Sequence, residues 1–166
     1  MITRFFRYAF FAFVLIVVQT TVARYLNIAD VSPDLLAIFI AYLAVKKGQL
    51  TGTVWGFLVG LGVALMAGSF IGLGALTKTL GGFIAGYFHE EGQNKFTLGS
   101  YRFLIVVFLS SFAQNIIYFL VFTRGSDISL LTAIVEYGVT TTLYTTLVSL
   151  FPVMIVARKS VKVNVE

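Results

Sequence analysis

Few side chains in this sequence are equipped for chemistry, and two of them stand out by position. Lys78 and Glu136 are ionisable residues set inside otherwise apolar stretches. A charge in hydrocarbon is costly and marks a functional site by default. Lys78 falls about one turn, and Glu136 about two turns, into its apolar segment. If both segments enter the bilayer from the same side, opposite charges at similar depth predict one buried ion pair. Two plainer readings stand beside it. Lys78 can snorkel to the headgroups, and the last helix can enter the membrane late enough to leave Glu136 at the interface.

Catalytic chemistry has little else to draw on. The single histidine, His89, adjoins Glu90 and Glu91, a set that reads as a solvated helix end in preference to a metal site. There is no cysteine, which excludes a disulfide framework, a thiol nucleophile and a cysteine-held metal. No Ser/His/Asp set and no pair of intramembrane carboxylates occurs. The sequence therefore predicts a protein that is not an enzyme and needs no cofactor or metal. Its net charge of +5 comes from basic residues scattered between apolar runs, so no nucleic-acid groove is expected.

These residues must be positioned by membrane helices. Of 166 residues 58% are hydrophobic and 11% charged, with a mean hydropathy of +0.94. A soluble domain carries about 25% charged residues, so lipid has to be part of the solvent here. At about 20 residues per crossing plus short loops the chain has room for roughly six spans and no soluble domain. Residues 1–166 are read as one polytopic membrane domain. Charged residues and Gly/Pro punctuation mark segments at about residues 5–25, 35–45, 50–67, 75–88, 103–122 and 128–157. The first is too long for a signal-peptide core and reads as a retained anchor. Ser32-Pro33 reads as an N-cap followed by proline at the first helical position, and Pro152 is expected to bend the last helix. Segments two and four are short for about 30 Å of hydrocarbon, so the bilayer thins around them or part of each is a covered re-entrant stretch. The tail from Arg158 is expected to be disordered and to lie on anionic lipid.

Orientation follows from charge. With six crossings and a cytoplasmic N-terminus, Arg4, Arg7, Lys46, Lys47, Lys95, Arg102, Arg158, Lys159 and Lys162 fall inside, and Arg24 and Arg124 fall outside. Nine against two is the bias that inner-membrane proteins show, and both termini are accordingly cytoplasmic.

Small residues give the packing signal. Gly52, Gly56 and Gly60 recur every four residues along segment three, and Gly82 and Gly86 along segment four. Such stripes let backbones approach closely where no hydrophobic force separates protein from lipid. They serve packing within the bundle, docking of a partner helix, or both. Gly68, Gly72 and Gly74 between them read as a tight turn or a partly buried re-entry. Ser110, Ser111, Gln114 and Asn115 in segment five, and Thr140, Thr141, Thr142, Thr145, Thr146 and Ser149 in segment six, predict interhelical hydrogen bonds, with a ligand pocket as the alternative.

In order along the chain, Gln19-Thr20-Thr21, Pro33-Asp34-Leu35-Leu36, Gly48 before the striped segment, and the run from Ala67 to Tyr87 resemble the rod shape-determining MreD family. The resemblance covers essentially the whole chain. It implies a non-catalytic scaffold of the cell-elongation machinery, acting with an MreC-like protein. It also implies links to the peptidoglycan synthase formed by RodA and a class B penicillin-binding protein, and indirectly to MreB filaments. The fold it implies is a compact bundle of six short transmembrane helices, similar to the substrate-binding S-components of energy-coupling-factor transporters. That similarity supplies the runner-up, an S-component for a vitamin or metal. Many S-components carry an Ala-xxx-Ala stripe in helix one, whereas Ala9 and Ala12 here are three apart.

Topology is testable because the chain lacks cysteine. A cysteine introduced at Ser126 should react with a membrane-impermeant maleimide in cells whose inner membrane is intact. Labelling only after that membrane is opened contradicts the arrangement.

Overall fold

The computed structural model describes residues 2–21, 31–68, 71–92, 94–125 and 129–163. The expectations placed on Arg24, on Ser69-Phe70 and on Ser126-Asp127 lie outside these residues. The elements of the described chain are helices: α1 (Ile2–Thr21), α2 (Leu35–Lys47), α3 (Gln49–Ala67), α4 (Ile71–Gly86), the short α5 (Asn94–Leu98) and α6 (Tyr101–Phe122), then a rod that runs from Leu130. The rod comprises α7 (Leu130–Thr132), a π-helical turn (Ala133–Val139), α8 (Thr140–Val148) and α9 (Leu150–Val163). Among the described residues three helical stretches are long and apolar enough to cross a membrane: Gln49–Ala67, Tyr101–Phe122 and Leu130–Arg158. Large apolar side chains such as Phe6, Phe10, Leu65 and Leu131 are exposed. Such a surface is consistent with a bilayer around the protein.

α2 is the axis. Leu36, Ala37, Ile40, Ala41, Leu43, Ala44 and Val45 are almost wholly buried, and α1, α3, α4, α6 and α8 all pack on it. A helix apolar on every face belongs in an interior. This explains its length, since 13 residues reach only about 20 Å but the neighbours, and not lipid, satisfy its surroundings. Its cap is Asp34, whose Oδ1 accepts from Ala37 N at 3.0 Å. Ser32 is thus not the N-cap, and Pro33 precedes the helix instead of opening it. At the other end His89 Nδ1 donates to the orphan carbonyl of Val45 at 2.7 Å. His89 is therefore half-buried against α2, more than a solvated helix end.

The glycine-rich linker also differs from expectation. Gly68 adopts φ +64° and closes α3, but Gly72 and Gly74 already belong to α4, which places Lys78 about two turns into the helix. The rod breaks at Ser149, ahead of Pro152. Ser149 Oγ donates to Thr146 O at 2.7 Å there, and Pro152 falls in the first turn of α9, where its missing N–H is tolerated. α9 continues to Val163, so residues 158–163 are helical instead of disordered.

α3 and α4 form the closest helix pair. A Cβ added at Gly56 would collide with the Lys78 carbonyl, one at Gly60 would sit 2.8 Å from Ala75 Cα, and one at Gly52 2.8 Å from Gly82 O. Conversely, a Cβ at Gly82 would strike the Gly52 carbonyl, and one at Gly86 the backbone of Gln49. The two stripes thus face each other, with Gln49 and Ala75 completing the seam. Backbone contact of this kind gains dispersion and Cα–H···O interactions that larger side chains forbid.

Alanine alone should therefore disrupt the seam. Gly56→Ala and Gly82→Ala are each expected to destabilise by on the order of 1–3 kcal/mol, and leucine at either position by more. Leu61→Ala should be milder, and Gly72→Ala silent because a Cβ there meets nothing. Thermal unfolding in detergent checks the order, and wild-type stability of Gly82→Ala contradicts the seam.

Candidate functional site

Polar residues from five elements converge at the end of the bundle where α1, α3 and α6 finish and α2, α4 and the rod begin. The centre is an ion pair. Lys78 Nζ on α4 lies 2.5 Å from Asp34 Oδ2 at the head of α2, the two side chains being 12% and 26% exposed. Asp34 is held from three directions. Beyond Lys78 and the Ala37 amide, its own N–H donates to Thr145 Oγ1 of α8 at 2.9 Å. Gln19 in the last turn of α1 clamps the backbone on either side of it. Its Nε2 donates to Pro33 O and its Oε1 accepts from Leu35 N, both at 3.0 Å. The residues that a proline-led loop would leave unpaired are thereby satisfied.

The structure does not bring Lys78 and Glu136 together. Glu136 is exposed, on the π-helical turn, with Val135 and Tyr137 exposed beside it. Depth along a helix does not fix the face a residue occupies, and the π turn shifts that face by inserting an extra residue. Sequence pattern does not single out Asp34 as the partner, because it sits in a loop 44 residues before Lys78. Its proximity to Pro33 at a helix start was the available signal.

The π turn has its own partner on α6. Asn115 Nδ2 donates to Gly138 O at 3.2 Å and to Thr142 Oγ1 at 2.9 Å. A Cβ at Gly138 would make only ordinary van der Waals contact with the Phe119 ring, at 3.4 Å. The hydroxyls expected to bond across helices mostly turn back on their own: Thr142 to Gly138 O, Thr146 to Thr142 O, and Ser110 to Val107 O. Thr145 and Asn115 make the cross-helix bonds, while Ser111 Oγ is buried without a partner among the described residues.

Between these groups lies a cavity of about 610 Å³, lined by Asp34 and Lys78 and by residues of α1, α3, α4, α6 and the rod. Gln114, Tyr118, Phe119 and Thr141 supply much of its wall. Its volume falls within the range of small-molecule sites, about 300–1,000 Å³. Among the described residues no group of three or more metal-ligating side chains occurs.

The described residues form a helical fold with three helices long and apolar enough to span a bilayer, which is consistent with membrane localisation. No protein-family model, curated protein or solved structure matches the chain.

The ion pair gives a direct prediction. Removing one partner strands a charge in a mostly protein-lined site, which costs on the order of 3–5 kcal/mol. Lys78→Met and Asp34→Asn should each lower thermal stability, and the double variant should recover much of either loss. Lys78→Met with Glu136→Gln should instead be additive. Asp34→Asn retains an acceptor for Ala37 N, so the cycle reads the charge and not the cap. Coupling of Lys78 to Glu136, with none to Asp34, overturns the assignment.

Proposed function

We propose that this chain is a non-catalytic membrane scaffold of the bacterial cell-elongation machinery, of the MreD kind. One observation supports this reading above the others. The stretches that carry the resemblance are the ones that hold the bundle together. Gln19 clamps the Pro33–Leu35 backbone, Asp34 pairs with Lys78, and the glycines of the Ala67–Tyr87 run meet the stripe on α3. Their roles are architectural, as a scaffold requires.

In this reading the chain sits in the inner membrane with six crossings (α1, α2, α3, α4, α6 and the rod) and both termini in the cytoplasm. The nine-to-two basic asymmetry supports the orientation. The enclosure of α2 by other helices supports a crossing shorter than the hydrocarbon core. Its partners are an MreC-like protein and, through it, the RodA and penicillin-binding synthase, with MreB filaments beneath the membrane. Because the two glycine stripes occupy each other, a partner helix docks on another face of the bundle. The 610 Å³ cavity favours a second reading, a substrate-binding S-component of a transporter.

Co-purification separates the two. Tagged full-length chain extracted in mild detergent from its native host should retain an MreC-like protein, and Gly56→Leu should lose it by distorting α3 and α4. Retention of an ATPase pair, with no MreC-like protein, overturns the scaffold reading in favour of transport.

A further inference from the structure

Gln114 poses a problem that packing does not solve. Its side chain lines the cavity and is buried, with the residue only 5% exposed. Yet its amide makes no hydrogen bond to any described residue. Unlike Ser111 Oγ, the amide is not sealed off: it keeps surface on the cavity and stands there as a free donor and acceptor. The chain also gives up a side chain to seat it, because a Cβ at Gly81 would collide with the Gln114 amide. Methionine or leucine would fill the same volume without offering hydrogen-bonding groups to the cavity, so the position reads as one kept for a ligand.

The neighbours decide what that ligand carries. Gly81 lies three residues after Lys78, on the same face of α4, and the Gln114 amide against it lines the same cavity as Lys78. Lys78 has three donor hydrogens and gives one to Asp34. Asp34 is already met by Lys78 on Oδ2 and by the Ala37 amide on Oδ1. The site therefore holds a surplus of N–H donors on Lys78 and Gln114. Asp34 supplies one negative charge, which opposes a dianion such as phosphate and accommodates a single negative charge shared between two oxygens. The rest of the wall includes Val63, Phe119 and Phe122, which suit an apolar or aromatic body.

We propose that this cavity binds a small amphipathic carboxylic acid, its carboxylate recognised by the Lys78 ammonium and the Gln114 amide and its apolar remainder set against α6. This goes beyond the scaffold reading and does not depend on it: the site would make the scaffold responsive to a small acid.

Purified full-length chain in detergent is the material, and thermal unfolding the readout, with phenylacetate and cinnamate as probes and phenylacetamide as the uncharged control. In the millimolar range either acid should raise the melting temperature saturably, and the amide should not. Gln114→Met should weaken binding roughly 10- to 100-fold, the worth of one hydrogen bond to a charged group. Gln114→Glu, which keeps the shape against Gly81, should abolish binding by placing a second carboxylate in the site. A wild-type protein that neither acid stabilises overturns the proposal. So does equal stabilisation by phenylacetamide, or unchanged acid binding in both Gln114 variants. Each of these leaves the co-purification result for the scaffold untouched.

Discussion

Backbone contact between α3 and α4 is the constraint from which the remaining geometry follows. Gly56 sits on the carbonyl of Lys78, and Gly60 on that of Gly74, so the first half of α4 is fixed against α3 to within the thickness of a peptide unit. A side chain at any of these positions would push α4 outward. Lys78 would move with it, away from Asp34. In an apolar solvent the hydrophobic effect does not drive helices together, and close dispersion contact has to do so. The stripe is thus a means of placing a cation as well as a means of association.

The head of α2 is where that placement is used. Asp34 caps its own helix, receives Lys78 from α4 and donates its amide to Thr145 on α8, while Gln19 fastens the adjoining backbone from α1. Four helices are tied at one point by groups that leave few polar atoms unpaired. A charge pair in such surroundings adds little net stability compared with apolar packing, but it strongly disfavours arrangements in which either member is left alone. Its contribution is to specify one arrangement of helices that are otherwise similarly greasy.

The same end of the molecule holds the departures from regular structure. The π turn at Ala133–Val139 is stitched to α6 by Asn115, and the wall of the cavity runs from this turn across to Lys78. Irregular backbone of this kind is frequent at functional sites. The opposite end, by contrast, is closed by conventional means: His89 on the Val45 carbonyl and Gln49 Nε2 on Phe83 O at 3.1 Å.

Much of this was legible along the chain. Mean hydropathy dictated helices suited to a bilayer, because so few charges cannot solvate a globule of this size. The four-residue period of Gly52, Gly56 and Gly60 dictated a smooth face, and Lys78 was conspicuous in its apolar setting. Spacing within one helix fixes relative depth and face, which is why those features survive folding. Which faces meet depends on rotations about each helix axis and on local changes of winding, and these are set by contacts between segments distant in sequence. Hence the partner of Lys78 is Asp34 from a loop and not Glu136, and the start of α2 is set by a carboxylate and not by the serine before proline. The Gln114 amide meets Gly81 from another helix and shares the cavity wall with Lys78. No one-dimensional pattern records that meeting.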